Sequence, residues 1–236
     1  SNWQVNLLIK FMKPKTALTP SPVVKSFWDL NHIDGHLLPL ITDLNIFKPK
    51  ANDKSKEELR KKYNLPINSF IISHMGHLNE GRNLSSLIPL QKSGYQIVVV
   101  GSSSTPLDSL GPASIKEDLQ NEGVIIIDYY IENIEEVYQL SDIYIFPVTS
   151  ETGSIGMPLS IMEARGCGIP VITTDFGSLQ HYFGDDNKSI WYCKPKDFLN
   201  IVKEVQTTLP HSFIQTKVGS INQKFYSIIH SVIKGS

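Results

Sequence analysis

Cysteine is close to absent from this chain: Cys167 and Cys193 are its only two, and they form no CxxC pair. A disulfide scaffold is thereby excluded, and a reducing compartment is the better expectation. An excess of one charge is missing too. With 22 basic residues against 23 acidic ones, the formal net charge is −1, so the electrostatic footprint of a nucleic-acid binder is not there. No uninterrupted run of about 18 apolar residues occurs, which removes a membrane-spanning helix. The run Leu7-Leu8-Ile9 is broken by Lys10, and no cleavage-type signal follows it. The chain opens on Ser-Asn rather than Met, and a longer natural protein is the expectation.

Most catalytic signatures are lacking as well. GCG at 166–168 runs into strand-forming residues and GSIG at 153–156 has the wrong spacing, so there is no dinucleotide fingerprint. No P-loop and no GxSxG elbow are present. The seven His residues are scattered without HExxH or Cys/His ligand spacing, so neither a metal nor another cofactor is expected. His74 lies inside a strand pattern and reads as a buried, satisfied histidine. Basic residues gather between Lys48 and Lys62, but acids interrupt them, and the spacing suits a solvated helix better than a membrane-surface or acidic-partner patch.

What is present is a core-forming composition, 41% apolar over 236 residues, with β-branched runs alternating with helical periods from residue 69 onward. Strands are expected at Ser69 to His74, Gln96 to Gly101, Val124 to Asp128, Ile143 to Pro147, Pro170 to Thr174 and Ser189 to Cys193. Helices are expected at Ser55 to Tyr63, Leu84 to Lys92, Ser114 to Asn121, Ile134 to Leu140, Met157 to Arg165, Lys196 to Thr208 and His211 to Lys234. This alternation predicts an α/β fold, a Rossmann-like parallel sheet with helices on both faces and right-handed crossovers. Residues 16–50 read differently, Pro-rich with an isolated apolar run from His36 to Leu40.

The richest stretch is Ser154 to Asp175, SIGMPLSIMEARGCGIPVITTD. Gly153 and Gly156 let the backbone approach a ligand, and a helix starting near Met157 would aim its N–H groups at a phosphate. Glu163, about two turns into that helix, could accept hydrogen bonds from ribose hydroxyls. The wording GMPLSIMEA followed by GCGIPVITTD resembles the donor-site motif of retaining glycosyltransferases of the GT-B fold, the group 1, glycogen-synthase-like superfamily. The segments LTPSPVVKSF and LLPLITDLNIFKP are similar to that family's crossing from first to second domain, so the resemblance covers roughly residues 16 to 235.

The resemblance implies one half of a GT-B fold. Residues 1–35 would be a remnant or linker from an N-terminal acceptor domain, and residues 36–236 the nucleotide-sugar-binding domain. The donor diphosphate would meet Gly76, His77, Arg82, Gly156, Met157, Pro158 and Leu159. Here His77 and Arg82 stand where the family carries Arg and Lys, and a guanidinium can grip phosphate bidentately. Glu163 would hold the ribose, and Tyr129, Tyr130 or Ile131 would cover the base. The family's first acid, eight positions before the second, falls on Ile155; a longer turn bringing Glu151 to the sugar is the preferred alternative, because ETGSIG supplies two glycines to absorb the insertion.

The implied partners are a nucleotide-diphosphate sugar of UDP, GDP or ADP type and an acceptor glycan, lipid or protein, with no nucleic acid. The implied site is metal-independent, and the location cytoplasmic, with weak peripheral contact at the inner face of a membrane as a variant. Hexosyl transfer with retention is the expected reaction, the isolated chain being inactive. A non-catalytic nucleotide-sugar-binding domain and a sugar-nucleotide epimerase of the same fold stay open as alternatives; the epimerase's acids and histidines are not found at recognisable spacing.

Overall fold

A computed structural model describes residues 14–49, 53–102, 112–150, 154–184, 189–208 and 215–234. Among the described residues two parallel sheets are formed. A small one pairs β1 (Thr16–Thr19) with β2 (Asp34–Leu37) across helix α1 (Pro22–Leu30). Ser21 starts that helix because its Oγ accepts the Val24 N–H at 3.3 Å, and Pro22 supplies the preset φ of a first helical residue. Residues 16–50, read from sequence as Pro-rich crossing, thus contain a βαβ unit whose elements are too short to show a period.

The main sheet has six strands, all parallel: β3 (Ile71–His77), β4 (Gln96–Ser102), β5 (Ile125–Ile127), β6 (Ile143–Phe146), β7 (Val171–Thr173) and β8 (Ile190–Tyr192), in the order β5-β4-β3-β6-β7-β8. The chain builds outward from β3 to one edge, then returns beside β3 and builds to the other. That reversal makes the β3–β6 junction a topological switch point. Strands β3 and β6 are buried along almost their whole length because helices cover both faces.

Alternation divides the side chains between two layers. Tyr144 and Phe146 join Met75 beneath α5 (Glu135–Leu140), α6 (Leu159–Gly166) and α7 (Leu179–Phe183). Ile143 and Ile145 join Ile72 and Ile97 beneath α3 (Ile88–Lys92), α4 (Pro112–Asn121) and α8 (Phe198–Thr208). The expected helix from Leu84 begins as a 3-10 turn, Leu84–Leu87, and becomes α-helical at Ile88, with Pro89 in its first turn. The long C-terminal helix α9 (Gln215–Lys234) donates from Asn222 Nδ2 to the Thr42 carbonyl at 2.8 Å, and Gln139 Nε2 holds the Lys48 carbonyl at 2.9 Å. These bonds strap residues 38–49 across the larger domain. Among the described residues no helix is long and apolar enough to cross a membrane.

Helix α2 (Asp53–Lys62) corrects one sequence expectation. Its basic residues are not simply a solvated face. Arg60 is buried and donates to the carbonyls of Leu140 (3.0 Å), Ile67 (2.8 Å) and Ser69 (3.0 Å) and to Asp142 Oδ2 (2.7 Å). Lys56 reaches Asp142 Oδ1 at 2.6 Å, while Lys62 and Tyr63 both reach Glu136. Asp142 also accepts the Ile71 N–H at 2.6 Å, so it closes the amino end of the β3–β6 junction. Sequence spacing showed the charges but not that their acids arrive from residues 74 to 86 positions away.

Asp142→Ala should therefore destabilise the domain by about 3 kcal/mol, because Arg60 would be left buried without its counter-charge. Lys56→Ala, which leaves the Arg60–Asp142 pair intact, should cost under about 1 kcal/mol. Urea unfolding measures both; equal losses would contradict the ranking.

Candidate donor site at the strand switch point

Beyond Ser73, the register between β3 and β6 stops: Ile72 pairs with Ile143 and Ser73 with Tyr144, whereas β3 keeps seven paired positions with β4. The ladder between the two strands ends there, and in open parallel sheets the crevice that takes a ligand lies at such a switch point, outside the carboxyl ends. His74 bridges the start of it, its Nδ1–H donating to the Ile145 carbonyl at 2.9 Å. Since a carbonyl can only accept, the proton sits on Nδ1 and Nε2 is a bare acceptor. It has no hydrogen-bond partner among the described residues, so the expectation of a satisfied histidine holds for one nitrogen only. Burial, helped by the nearby Arg82 charge and opposed by the Ile145 bond, lowers the pKa of His74 to about 4.

Strand β3 runs three residues past its expected end, which puts Gly76 and His77 inside the strand at the mouth of the crevice. A 3-10 turn, Glu80–Arg82, follows, and Asn83 takes the left-handed conformation with φ 54°. Asparagine tolerates that geometry, and its Nδ2 donates to the Pro147 carbonyl at 3.0 Å, tying this turn to the end of β6. Arg82 then folds back over Gly76. A Cβ on Gly76 would stand 3.3 Å from Arg82 Cζ and 3.2 Å from His74 Nε2, so the missing side chain is what lets the guanidinium settle there. Its Cζ lies 5.9 Å from the centre of the Phe146 ring, and Nη1 donates to Ser154 Oγ at 3.1 Å.

Ser154 opens the facing turn. Gly156 accepts the Ser178 N–H at 2.7 Å, and Gly177, at φ 57°, lies so close that a Cβ there would stand 2.3 Å from the Gly156 oxygen. Gly177 is thus needed for this backbone-to-backbone contact, whereas a Cβ on Gly156 would meet nothing nearer than Ser178 Oγ at 3.6 Å. Met157 does not start the helix; it is fully buried, and its sulfur accepts the Leu40 N–H at 3.2 Å. Helix α6 begins at Leu159 after Pro158, whose ψ of 127° is still extended, and no side chain caps it. The Ile161 N–H bonds the Pro158 carbonyl at 3.3 Å, and the N–H groups of Leu159 and Ser160 before it lie at the positive end of the helix.

Glu163 sits about one turn into α6, half-buried, and Tyr138 of α5 donates to its Oε2 at 2.7 Å. Desolvation raises the Glu163 pKa, and the Tyr138 bond opposes that rise. Below them Tyr144 donates to Ser160 Oγ at 2.8 Å, and its hydroxyl is influenced by both Arg82 and Glu163. The cation and the carboxylate therefore flank one buried phenol. Around the site, Ile155 is 60% exposed, Leu159 41%, Tyr129 58% and Tyr130 88%, while Ile131 is half-buried against the core. Glu151 and Gly153 lie outside the described residues. Ser154, Asn83, Tyr138 and Gly177 are participants that sequence reading did not single out; only Gly177, in a strand-to-helix turn after Asp175, carries a local signal. Among the described residues no group of three or more His, Cys, Asp or Glu is placed to hold a metal.

Comparison with known proteins bears on the family and the fold. The family model of group 1 glycosyl transferases matches residues 81–210. TuaC of Bacillus subtilis (strain 168), named for glycosyl transfer in teichuronic acid biosynthesis, is 30% identical over 159 residues, 66% of this chain and 37% of its own length. EpsF of the same strain, named as a glycosyltransferase, is 25% identical over 147 residues, 59% of this chain and 36% of its own. The chain thus spans little more than a third of both relatives. Anabaena HepE, solved with UDP and glucose, superposes with a TM-score of 0.77 at 16% identity, over 98% of this chain and 66% of that one. Sucrose-phosphate synthase of Thermosynechococcus elongatus gives 0.73 at 17%, over 99% and 63%. At such identities the likeness is one of fold, and it bears out the Rossmann-like half of a GT-B architecture.

The His74 environment has a stability signature. Unfolded, the imidazole titrates near 6.5; folded, near 4. The unfolded state binds the proton first, so stability is fully present above about pH 6.5 and falls as pH drops toward 4, by about 3 kcal/mol from this group. Denaturant unfolding of His74→Gln across that window should show a flatter profile than wild type; parallel profiles would contradict the burial argument.

Proposed function

Because the chain belongs to the group 1 glycosyl transferase family, we propose that it forms the donor-binding half of a retaining glycosyltransferase that takes a nucleotide-diphosphate sugar. One observation carries this reading: Arg82 reaches across the switch-point crevice to Ser154, on the turn that leads into the uncapped amino end of α6. A diphosphate between them would meet a bidentate cation on one side and helix N–H donors on the other. Both would offset charge building on the leaving diphosphate as the glycosidic bond breaks. In this reading His77, Gly76, Gly156, Pro158 and Leu159 would meet the same diphosphate. Met157 could contribute only through its backbone, its side chain being buried.

Glu163 would take the ribose hydroxyls, and the exposed rings of Tyr129 and Tyr130, with Ile131, would cover the base. Residues from about 36 onward make the donor domain in this reading. Acceptor binding, whether glycan, lipid or protein, belongs to a second domain, so these 236 residues alone should bind donor and not transfer it. UDP is the first nucleotide to try, since HepE is solved with it. A second reading, a nucleotide-sugar-binding domain without turnover, is favoured by the exposed Ile155 in the family's acid position: an aliphatic side chain cannot accept a sugar hydroxyl.

Calorimetry with UDP, GDP and ADP should find binding in roughly the mM to tens of μM range for a half-cleft. Arg82→Ala should weaken the bound diphosphate by about 1.5–3 kcal/mol. No binding of any nucleotide at mM concentration, or an Arg82→Ala protein that binds like wild type, would contradict the assignment. With the full-length transferase, Glu151→Ala should lower sugar transfer while sparing affinity for the bare nucleoside diphosphate; unchanged kinetics would favour Ile155 as the residue at the sugar.

A further inference from the structure

We propose that Tyr138 is the positioning residue of the nucleotide site: by donating to Oε2 of Glu163 it fixes the carboxylate's rotation and leaves Oε1 to accept from the ligand's ribose. The proposal rests on the ribose role of Glu163 given above. Tyr138 is well placed for such work. It is 1% exposed and held from two sides, by the Phe47 ring at 6.0 Å and 72° and by the Tyr144 ring at 5.6 Å and 59°. With the ring so confined the hydroxyl oxygen is held in one place, and its O–H is donated to Glu163 Oε2 at 2.7 Å. Among the described residues Tyr138 is the one hydrogen-bond partner of this carboxylate. Burial, reinforced by the adjacent Glu163 charge, pushes the Tyr138 hydroxyl far above its ordinary range, so it stays a donor at every working pH.

The bond does two things for a ribose contact. It spends the rotamer freedom of Glu163 before the ligand arrives, and it favours the ionised acceptor form that burial would otherwise disfavour. Among the described residues the titratable groups that interact with this carboxylate are Tyr138 from α5, Tyr144 from β6 and Cys167 just past the end of α6, with Glu135 beyond Cys167. None of them is a cation, so among these groups the Tyr138 bond is the one that opposes the rise of the Glu163 pKa.

The test compares two probes, UDP and inorganic pyrophosphate, by calorimetry from pH 5 to 8. Tyr138→Phe keeps the ring and its packing and removes only the hydroxyl. It should weaken UDP by about tenfold, the scale of one hydrogen bond to a charged group, while pyrophosphate affinity is kept. The pH below which UDP affinity falls should move upward, because the carboxyl loses the bond that opposes its raised pKa. Neither change should occur when Tyr138→Phe is added to Glu163→Gln. Equal losses for UDP and pyrophosphate in Tyr138→Phe would mean a packing role and overturn the proposal, as would wild-type affinity with an unmoved pH profile. Glu163→Gln separates the levels: a UDP-selective loss there with Tyr138→Phe silent overturns the positioning role alone, whereas equal losses in Glu163→Gln overturn the ribose reading and the proposal together.

Discussion

The separation of β3 from β6 is the constraint on which the rest of the molecule turns. Parallel strands that stay in register bury their backbone groups in the ladder and offer nothing to a ligand. Here the register ends after Ser73 and Tyr144, and the side chains of Asp142, His74 and Asn83 bridge the junction. Asp142 closes the amino end through Ile71 N–H and Arg60. His74 satisfies Ile145 where the ladder has stopped, and Asn83 holds Pro147 at the rim.

Charge at the site follows from that opening. Arg82 lies over a glycine and beside an aromatic ring, above a histidine that its own charge helps to keep neutral. A protonated His74 would repel the guanidinium it underlies. On the opposite wall, α6 brings a helix amino end with no cap and, one turn later, a carboxylate held by Tyr138. On the proposed reading, the helix end that would take the diphosphate and the carboxylate that would take the ribose are separated by a single helical turn, about 5.4 Å of rise, a spacing suited to a nucleoside diphosphate.

The sheet was legible in the sequence because its strands are short β-branched runs punctuated by glycine and proline, and all six expected strands exist within a few residues of their expected bounds. Glu163 and Arg82 were legible because a motif of local wording surrounds each. The βαβ unit at residues 16–37 was not, since four-residue strands carry too little alternation to register. Nor were Tyr138 and Ser154, which reach their partners across 25 and 72 positions and leave no local periodicity. The inward turn of Arg60 was missed for the same reason: a charged residue on a polar helix looks solvated until its acid arrives from a distant strand.

The account stands or falls on the crevice binding a nucleoside diphosphate between Arg82 and the start of α6. A two-dimensional NMR titration of the labelled chain with UDP tests this most directly. The backbone amides of Gly156, Leu159 and Ser160 and the side-chain Nε–H of Arg82 should shift together with one dissociation constant, while amides of α8, on the opposite face, stay in place. Shifts confined to α8 or to the β1–β2 sheet, with the α6 amides unmoved at saturating UDP, would contradict it.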